Sequence, residues 1–294
     1  MLTTAAIFDR YQEVRPRMPQ AVTKSAFKDI ASLIEIADQA SAFVFDAFGV
    51  LNVGETLIDG ADRRLDELRA MGCEIRILTN AASYDRVGAV NKFQRLGLSI
   101  KDEEIITSRD ATLAAVTPGR WGVIAASEDQ LGDIPSNWQR LGDIAQDYDK
   151  VDGFLFLSTS NWKEPRQEML VASLIKNERP VLIANADLVA PRDKGFSLEP
   201  GYYGHLLADR GISSIRFFGK PFPEVYDLVE QSLPNTPLNR IVMCGDTLHT
   251  DIMGAAARNW RTVLVTRDGL FSGHDTQVFC QQSGLFPDWR LARI

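Results

Sequence analysis

The sequence predicts an α/β protein built on a doubly wound parallel sheet, and three observations lead to that prediction. Phe43-Val44-Phe45 is wholly apolar, which is typical of a strand buried on both faces of a parallel sheet. Similar short runs alternate with helical stretches along most of the chain. The first run leads directly into Asp46, at the strand end where open α/β sheets bind ligands. Taken alone, Asp46 could equally be a solvated residue that begins a turn, so the other strand ends have to decide.

The composition indicates a soluble globular protein. The chain has 294 residues, 45% hydrophobic and 24% charged, which is enough for two domains or for one large domain with an insertion. The net charge of −7 argues against non-specific nucleic-acid binding, which requires a basic face. No apolar stretch approaches the ~20 residues of a membrane span, and the charged N-terminus argues against a signal peptide. Three widely spaced cysteines have neither disulfide nor zinc spacing, so we expect a cytoplasmic protein.

Residues 1–40 are predicted to form a helical extension of the first domain. Pro16 and Pro19 interrupt this segment, because each disfavours helix in the residue before it. From Thr23 onward, apolar residues recur with helical spacing at positions 27, 30, 34 and 37. We therefore expect an amphipathic helix that packs on the core or on a partner subunit.

A strand–helix–strand unit follows and brings polar residues together. Residues 60–71 have a helical pattern that Gly72 ends, and residues 74–78 are predicted to form a second strand. This length suits a right-handed crossover between neighbouring parallel strands. Because the second strand leads into Thr79 and Asn80, we expect these side chains to lie beside Asp46.

A second series of strands and helices begins after Pro118-Gly119. Its apolar runs cover residues 121–125, 153–157 and 181–184. A segment of this length, with repeated strand and helix alternation, can form a small sheet of its own. The sequence therefore predicts an inserted α/β domain at residues 113–215, with residues 1–112 and 216–294 forming the core domain.

The core pattern resumes after the insertion with three further predicted strands. Residues 215–221 contain Lys220, residues 241–246 end in Asp246, and residues 262–265 form the last strand. Asp251 follows shortly after Asp246. The remaining C-terminal residues show no regular pattern and are predicted to be irregular.

The predicted strand ends carry groups suited to phosphoryl transfer. A carboxylate such as Asp46 can attack phosphorus and form an aspartyl-phosphate. The Thr79 hydroxyl and the Lys220 ammonium can hold phosphoryl oxygens, and Asp46 with Asp246 can hold Mg²⁺. Individually, Lys220 is more often a surface charge, Thr79 a locally bonded hydroxyl and Asp251 a helix N-cap. Their joint placement favours a site for phosphate and metal.

Four motifs follow one another along the chain: Asp46-x-x-Gly-Val-Leu, Leu78-Thr79-Asn80, Gly219-Lys220-Pro221 and Gly245-Asp246-x4-Asp251. Together they resemble the haloacid dehalogenase (HAD) superfamily, and more narrowly its class IIA branch of nitrophenylphosphatase-like and nucleotide-phosphatase-like hydrolases. Those enzymes carry a cap domain between the second and third motifs, where this chain has its insertion. The resemblance covers residues 41 to 270 and implies a HAD-like core, a mobile cap and a small phosphorylated substrate.

The resemblance assigns roles to the acidic residues. It implies that Asp46 is the nucleophile and a ligand of Mg²⁺. Asp246 would be the second carboxylate ligand of the metal, and Asp251 would orient water bound to it. In the family, the residue two positions after the nucleophile contributes its backbone carbonyl to the metal, and Phe48 provides such a carbonyl here.

The resemblance also assigns the phosphate and substrate contacts. Thr79 and Lys220 would bind the phosphoryl group, and Asn80 would shape its pocket. In the cap, Asn185-Ala186-Asp187 resembles the segment that approaches substrate, although a loop after a buried strand can carry Asn and Asp for turn chemistry alone. A homodimer through the cap is a further implication of the family.

One position departs from the family's phosphatases. They carry a second aspartate two residues after the nucleophile, which serves as general acid and base, whereas this chain has Phe48. Such acid–base help is typically worth ~10²–10⁴-fold in rate. The chain would then be a slow phosphatase, or one that takes a substitute acid such as Asp187 or His205 from the cap. His205 and His249 are otherwise expected to be structural.

Two other interpretations of the Phe48 position stay open. The superfamily's dehalogenases have the nucleophilic aspartate followed two positions later by tyrosine, so Asp46-Ala-Phe resembles them locally. Alternatively, the site is catalytically degenerate and binds a phosphorylated ligand without turnover. A dinucleotide-binding oxidoreductase and a P-loop protein are disfavoured, because the first turn lacks Gly-x-Gly-x-x-Gly and proline follows Gly219-Lys220.

Overall fold

The computed structural model describes residues 3–192 and 195–294, and these form two parallel sheets with flanking helices. The predicted α/β class is therefore confirmed. The larger sheet has seven strands, all parallel to their neighbours. In spatial order they are Lys28–Asp29, Trp289–Leu291, Arg261–Val265, Ile241–Gly245, Ala42–Phe45, Glu74–Thr79 and Ile105–Thr107.

The larger sheet is covered on both faces, as the apolar run at its centre predicts. Phe43 and Phe45 point to one face, where they pack with Leu65 of the helix Ala61–Ala70. Val44 points to the other face and joins a second hydrophobic cluster. Because successive residues of a strand face opposite sides of a sheet, a strand covered on both sides has to be apolar throughout.

The smaller sheet lies between the two parts of the larger one in the chain. Its five strands are also parallel. In spatial order they are Ile215–Phe217, Val181–Ile183, Gly153–Phe156, Arg120–Ile124 and Asn137–Arg140. One face packs on the helix Glu164–Lys176 through Leu170 and Leu174. The other face shares a hydrophobic cluster with the larger sheet.

The assignment of residues 215–221 to the core sheet is wrong. Ile215–Phe217 pairs with Val181–Ile183 at the edge of the smaller sheet. This strand is only partly buried, unlike a central strand. The residues that follow it return to the larger sheet, where Lys220 contacts Asp46. The smaller sheet therefore extends past the predicted domain limit at residue 215.

The helices follow the predicted alternation along most of the chain. The α-helices are Thr4–Val14, Ala61–Ala70, Arg86–Arg95, Ser108–Leu113, Ala145–Tyr148, Glu164–Lys176, Pro200–Asp209, Pro223–Ser232, Met253–Ala257 and Thr276–Ser283. Short 3-10 helices are Arg15–Arg17, Leu33–Gln39, Asp102–Glu104 and Leu238–Arg240, and one π-helical turn is Leu248–Ile252. Two small hairpins, Asn52–Val53 with Thr56–Leu57 and Val189–Pro191 with Phe196–Leu198, complete the elements.

The long helix predicted from Thr23 is also wrong. The structure instead has the helix Thr4–Val14, the strand Lys28–Asp29 and the 3-10 helix Leu33–Gln39. Pairing with the C-terminal strand draws residues 28–29 into the sheet, so a tertiary contact overrides the local spacing. Ser32 then starts a new short helix, because its side chain and that of Glu35 form a reciprocal cap.

The C-terminal residues predicted to be irregular contain regular structure. Thr276–Ser283 is a helix, and Trp289–Leu291 is a strand between Arg261–Val265 and Lys28–Asp29. A three-residue strand carries little local signal, and one of its partners lies at the other end of the chain. Within the described residues, no helix has both the length and the apolar character needed to cross a membrane.

A buried arginine connects the larger sheet's helix Ser108–Leu113 to the start of the inserted segment. The Arg109 guanidinium is 1% exposed and forms ion pairs with Asp129 at 2.5 Å and Asp133 at 2.6 Å. It also donates to the carbonyl of Ala82 at 3.1 Å. Asp129 has no other cationic partner among the described residues, so loss of Arg109 would leave a buried carboxylate unpaired.

Replacing Arg109 by leucine is therefore expected to destabilise the fold by about 3–5 kcal/mol, since removing one partner of a buried ion pair leaves the other uncompensated. Urea denaturation measures this change. Arg63→Leu is the control, because the Arg63 side chain is 75% exposed and its Nε atom lies as far as 3.9 Å from Oε1 of Glu67. A loss for Arg109→Leu no larger than that of the control would contradict the account.

Candidate active site

Three neighbouring strands of the larger sheet end in polar residues at one edge. Asp46 follows Ala42–Phe45, Thr79 ends Glu74–Thr79, and Asp246 follows Ile241–Gly245. The strand carrying Asp46 lies between the other two and is parallel to both. The predicted meeting of these side chains is therefore a consequence of sheet order and direction.

The carboxylates of Asp46, Asp246 and Asp251 form a compact cluster. One oxygen from each lies within 4.8 Å of the others. Asp251 is fully buried and reaches the cluster from the π-helical turn Leu248–Ile252. The amide of Thr247 donates to its Oδ2 atom at 3.1 Å, which holds the turn against the strand end.

Glycines allow the backbone to approach these carboxylates. A Cβ atom on Gly245 would lie 2.1 Å from Cγ of Asp251. Gly49 has a φ of +79°, and a Cβ there would lie 2.7 Å from Oδ2 of Asp246. A side chain at either position would displace a carboxylate, and at Gly49 it would also strain the backbone. The glycines in the first and fourth motifs thus have a packing reason.

Lys220 supplies the positive charge of the cluster. Its Nζ atom lies 2.6 Å from Oδ1 of Asp46 and 2.7 Å from Oδ1 of Asp251, and its side chain is 1% exposed. Burial lowers the pKa of Lys220, but nearby carboxylates, foremost those of Asp251 and Asp46, outweigh this and raise the pKa above its ordinary value. Lys220 is therefore an ammonium at neutral pH.

Asn80 fixes the backbone of Lys220 and also contacts the inserted segment. Its side-chain Oδ1 accepts a hydrogen bond from the Lys220 amide at 2.6 Å, and its Nδ2 donates to the Lys220 carbonyl at 2.9 Å. The same Nδ2 donates to Oδ1 of Asp187 at 2.9 Å. Thr79 is buried beside it, and its hydroxyl accepts from the amide of Ala81 at 3.1 Å.

The acidic cluster fits a divalent cation. Burial, and then the charges of Asp251 and Asp46, raise the pKa of Asp246. Burial also raises the pKa of Asp251, and Lys220 offsets this only in part. One ammonium therefore leaves negative charge uncompensated, and closely spaced carboxylate oxygens are the ligands that Mg²⁺ prefers. Phe48 lies in a loop, and among the described residues no backbone amide donates a hydrogen bond to its carbonyl. This carbonyl is therefore available as a further oxygen ligand.

A cavity of about 110 Å³ lies over these strand ends. Residues at the strand ends of the larger sheet and residues of the inserted segment both line it. Those from the larger sheet include Asp46, Phe48, Thr79, Asn80 and Asp246, and those from the inserted segment include Asn185, Asp187, Arg192 and Glu199. Most of the predicted core and cap residues are thus brought together around one space, whereas Lys220 and Asp251 contact the cluster without lining the cavity.

Asn185 and Asp187 lie on the loop after Val181–Ile183. Asn185 Oδ1 accepts from the Asp187 amide at 2.9 Å, and its Nδ2 donates to Glu199 at 3.2 Å. Burial is the main cause that raises the pKa of Asp187 well above its ordinary range, despite the charge of Lys220. Asp187 therefore faces the cavity with its proton held more strongly than that of an ordinary carboxyl group.

Phe48 presents an aromatic ring to the cavity instead of a proton-transfer group. The Nζ atom of Lys92 lies 3.9 Å from the ring centroid and the Arg192 guanidinium lies 5.5 Å from it. Both contacts are favourable cation–π arrangements. Burial lowers the pKa of Lys92 to about 8.

Neither of the two histidines considered from the sequence lines the cavity. His205 stacks on Phe217 with 4.3 Å between ring centroids, and His249 stacks on Tyr11 with 5.1 Å. Burial lowers the pKa of each histidine to about 3, so both rings are neutral. The structural interpretation of both histidines is consistent with these positions, and His205 is not placed to act as a substitute acid.

Sequence reasoning missed several residues that line the cavity, among them Tyr11, Arg192 and Glu199. Tyr11 belongs to the helix Thr4–Val14, whose buried positions 7, 8, 11 and 14 repeat at helical spacing. That spacing could have revealed the helix, but not which part of the fold it covers. Arg192 directly follows the strand Val189–Pro191, Glu199 directly follows the strand Phe196–Leu198, and the sequence of this hairpin has no motif.

Two family models match the chain. One, described as haloacid dehalogenase-like hydrolase, matches residues 43–129, and the other, described as HAD-hydrolase-like, matches residues 217–283. These segments contain all three carboxylates of the cluster and Lys220. The chain is thus an enzyme of the HAD superfamily of hydrolases.

Among individual proteins, the chain is similar to phosphatases. It is 24% identical to an acid sugar phosphatase of Staphylococcus aureus over 242 residues, which is 81% of this chain and 91% of that protein. It is 35% identical to chloroplastic phosphoglycolate phosphatase 1A of Arabidopsis thaliana over 96 residues, 33% of this chain. That second alignment spans only 26% of the length of the Arabidopsis protein.

Solved structures show the same fold. A possible sugar phosphatase of the HAD superfamily from Cytophaga hutchinsonii superposes with a TM-score of 0.79 at 23% identity, covering 90% of this chain and 98% of that one. The glycerol phosphate phosphatase Rv1692 of Mycobacterium tuberculosis, solved in complex with magnesium, has a TM-score of 0.64 at 19% identity, covering 86% and 80%. Both structures therefore show that this chain has the fold of these proteins.

Proposed function

We propose that the protein is a Mg²⁺-dependent phosphatase that acts on a small phosphorylated metabolite through an aspartyl-phosphate on Asp46. The observation that carries the proposal is the contact of the Asp46 carboxylate with the buried Lys220 ammonium at 2.6 Å, beside two further carboxylates. The phosphatases among its relatives support the same reaction class.

Asp46 has one oxygen free to react. Its Oδ1 atom accepts hydrogen bonds from Lys220 and from the amide of Ala47 at 2.7 Å. Its Oδ2 atom can attack phosphorus while the bond from phosphorus to the leaving oxygen breaks. Lys220 and Thr79 would hold the phosphoryl oxygens as charge moves onto the leaving group. Bound by Asp46, Asp246 and the Phe48 carbonyl, Mg²⁺ would neutralise the phosphoryl charge, with Asp251 nearby.

Asp187 is the group that we propose takes the acid–base role which Phe48 cannot perform. Burial raises its pKa, which favours the protonated form that can donate a proton to the leaving oxygen. The resulting carboxylate can then take a proton from the water that attacks the aspartyl-phosphate. That step yields inorganic phosphate and restores both Asp46 and the protonated Asp187.

We propose that the inserted α/β segment acts as a cap and selects the substrate. It supplies Asn185, Asp187, Arg192 and Glu199 to the cavity wall. The cavity of about 110 Å³ is small, which favours a small phosphate ester over a bulky one. Sugar phosphates and phosphoglycolate, which the names of two relatives specify, are the first compounds to test. Cytoplasmic location and a homodimer through the cap stay predictions.

Single-turnover hydrolysis of 4-nitrophenyl phosphate with Mg²⁺ tests the proposal. We expect a burst of nitrophenolate matched by phosphorylated Asp46, trapped by acid quench and found by mass spectrometry. Turnover after the burst is expected to be slow, because hydrolysis of the aspartyl-phosphate relies on a base from the cap in place of the aspartate that Phe48 replaces. Asp46→Asn should give neither burst nor adduct, and chelation of Mg²⁺ should abolish both.

Absence of burst and adduct in the wild-type protein with Mg²⁺ present would overturn the phosphatase proposal. A catalytically degenerate protein that binds a phosphorylated ligand would then be favoured, because Phe48 stands where a proton-transfer group is expected. Binding of inorganic phosphate, weakened by Lys220→Met, would be its signature.

A leaving-group comparison tests the role of Asp187. Asp187→Asn is expected to slow release of the alcohol from glycerol phosphate by ~10²-fold or more, the usual scale of general acid catalysis. The nitrophenolate burst should change little, because nitrophenolate needs almost no protonation to leave. Asp143→Asn is the control, since that carboxylate has a 77% exposed side chain and does not line the cavity. Equal losses with both substrates would contradict an acid role for Asp187.

A further inference from the structure

The helix Thr4–Val14 packs against both the larger sheet's part of the chain and the inserted segment that carries the smaller sheet. On the larger sheet's side, Thr4 donates to the carbonyl of Leu270 at 3.1 Å, and the side chain of Gln12 lies 2.7 Å from Nε2 of His249. On the cap side, Arg10 forms an ion pair with Asp209. The apolar face of the helix belongs to a hydrophobic cluster that contains residues of both segments.

Tyr11 projects from this helix into the wall of the catalytic cavity. Its side chain is almost completely buried, and its ring stacks on His249 at an angle of 7°. Its hydroxyl oxygen accepts a hydrogen bond from the amide of Leu188 at 3.1 Å. Burial raises the pKa of Tyr11 well above its ordinary value, so the hydroxyl keeps its proton.

Leu188 is the residue directly after Asp187, on a loop that has no helix or strand of its own. The loop is held by hydrogen bonds at both residues: the Asp187 amide donates to Asn185, the Asp187 carboxyl accepts from Asn80, and the Leu188 carbonyl accepts from the Glu199 amide at 3.0 Å. Leu188 is buried, so its amide would lack a partner without the Tyr11 hydroxyl. The contact therefore holds the backbone next to the proposed acid.

We propose that Tyr11 is a positioning residue that aligns the Asp187 carboxyl with the leaving group by holding the Leu188 amide. This inference rests on the role proposed for Asp187. It gives the N-terminal helix a function in catalysis, because a residue from outside the sheet sets the geometry of a group inside the cavity. A shift of even 1 Å in such a group can cost a large part of its effect on the rate.

Tyr11→Phe is the decisive variant, because it removes the hydroxyl and keeps the ring on His249. We expect kcat for glycerol phosphate to fall by ~10-fold, the scale of one buried hydrogen bond left unmade, with KM nearly unchanged. The burst from 4-nitrophenyl phosphate should be unaffected. In the Asp187→Asn background, Tyr11→Phe should cost less than ~2-fold, because the group it positions is gone.

Gln12→Ala is the matched control from the same helix. It removes the contact with His249 without touching the Asp187 loop, so it should leave the ratio of the two substrates unchanged. Arg10→Gln removes the ion pair between the helix and Asp209 of the cap but keeps the Tyr11 hydroxyl. It therefore distinguishes positioning of the Asp187 loop from simple attachment of the cap. If Arg10→Gln lowers kcat for glycerol phosphate as much as Tyr11→Phe does, the helix merely fastens the cap and the proposal is overturned.

Hydrogen exchange followed by mass spectrometry decides the structural half independently of activity. Tyr11→Phe should speed exchange in residues 184–189 and leave the larger sheet unchanged, while Gln12→Ala should not affect residues 184–189. Unchanged exchange in this loop would overturn the proposal. A wild-type protein without burst or adduct would refute the proposed function instead, and exchange would still report whether Tyr11 holds the loop.

Discussion

The buried ammonium of Lys220 is the interaction on which the rest of the site depends. Asp46 and Asp251 approach the same side chain at 2.6 and 2.7 Å, in a region nearly closed to water. Carboxylates brought this close together in a low-dielectric setting require a counter-charge, because burial otherwise drives them to the neutral form. Lys220 supplies that counter-charge directly at Oδ1 of Asp46 and leaves Oδ2 without a cationic partner among the described residues. The remaining negative charge creates the demand for a divalent cation.

Asn80 extends this arrangement from the larger sheet to the cap. One side-chain amide fixes both backbone groups of Lys220 and also binds the carboxyl of Asp187. Asn80 thus contacts the proposed acid directly and the nucleophile Asp46 through Lys220. Tyr11 supports the same loop from the opposite side, through the amide of Leu188. The proposed acid is therefore held by contacts from two distant parts of the chain.

Much of the larger sheet and of the acidic cluster could be predicted from the sequence, for a physical reason. Strands buried on both faces have to be apolar throughout, so the run at Phe43 is visible by itself, and sheet order then places Asp46, Thr79 and Asp246 together. Contacts between distant parts of the chain could not be predicted. The strand at Trp289 exists only because of its partners, and the spacing that suggested a helix around Ile30 yields to pairing with that strand. The cavity positions of Tyr11 and Glu199 depend on how the cap and the N-terminal helix pack, which no local pattern encodes.

The measurement that tests the central claim most directly is a crystal structure of the protein with Mg²⁺ and beryllium fluoride, which mimics a phosphoryl group on an aspartate. The account predicts beryllium fluoride bonded to Oδ2 of Asp46, a cation between Asp46 and Asp246, and the Lys220 ammonium in contact with fluoride. An unmodified Asp46 at saturating beryllium fluoride, or a cation bound away from Asp46 and Asp246, would contradict it.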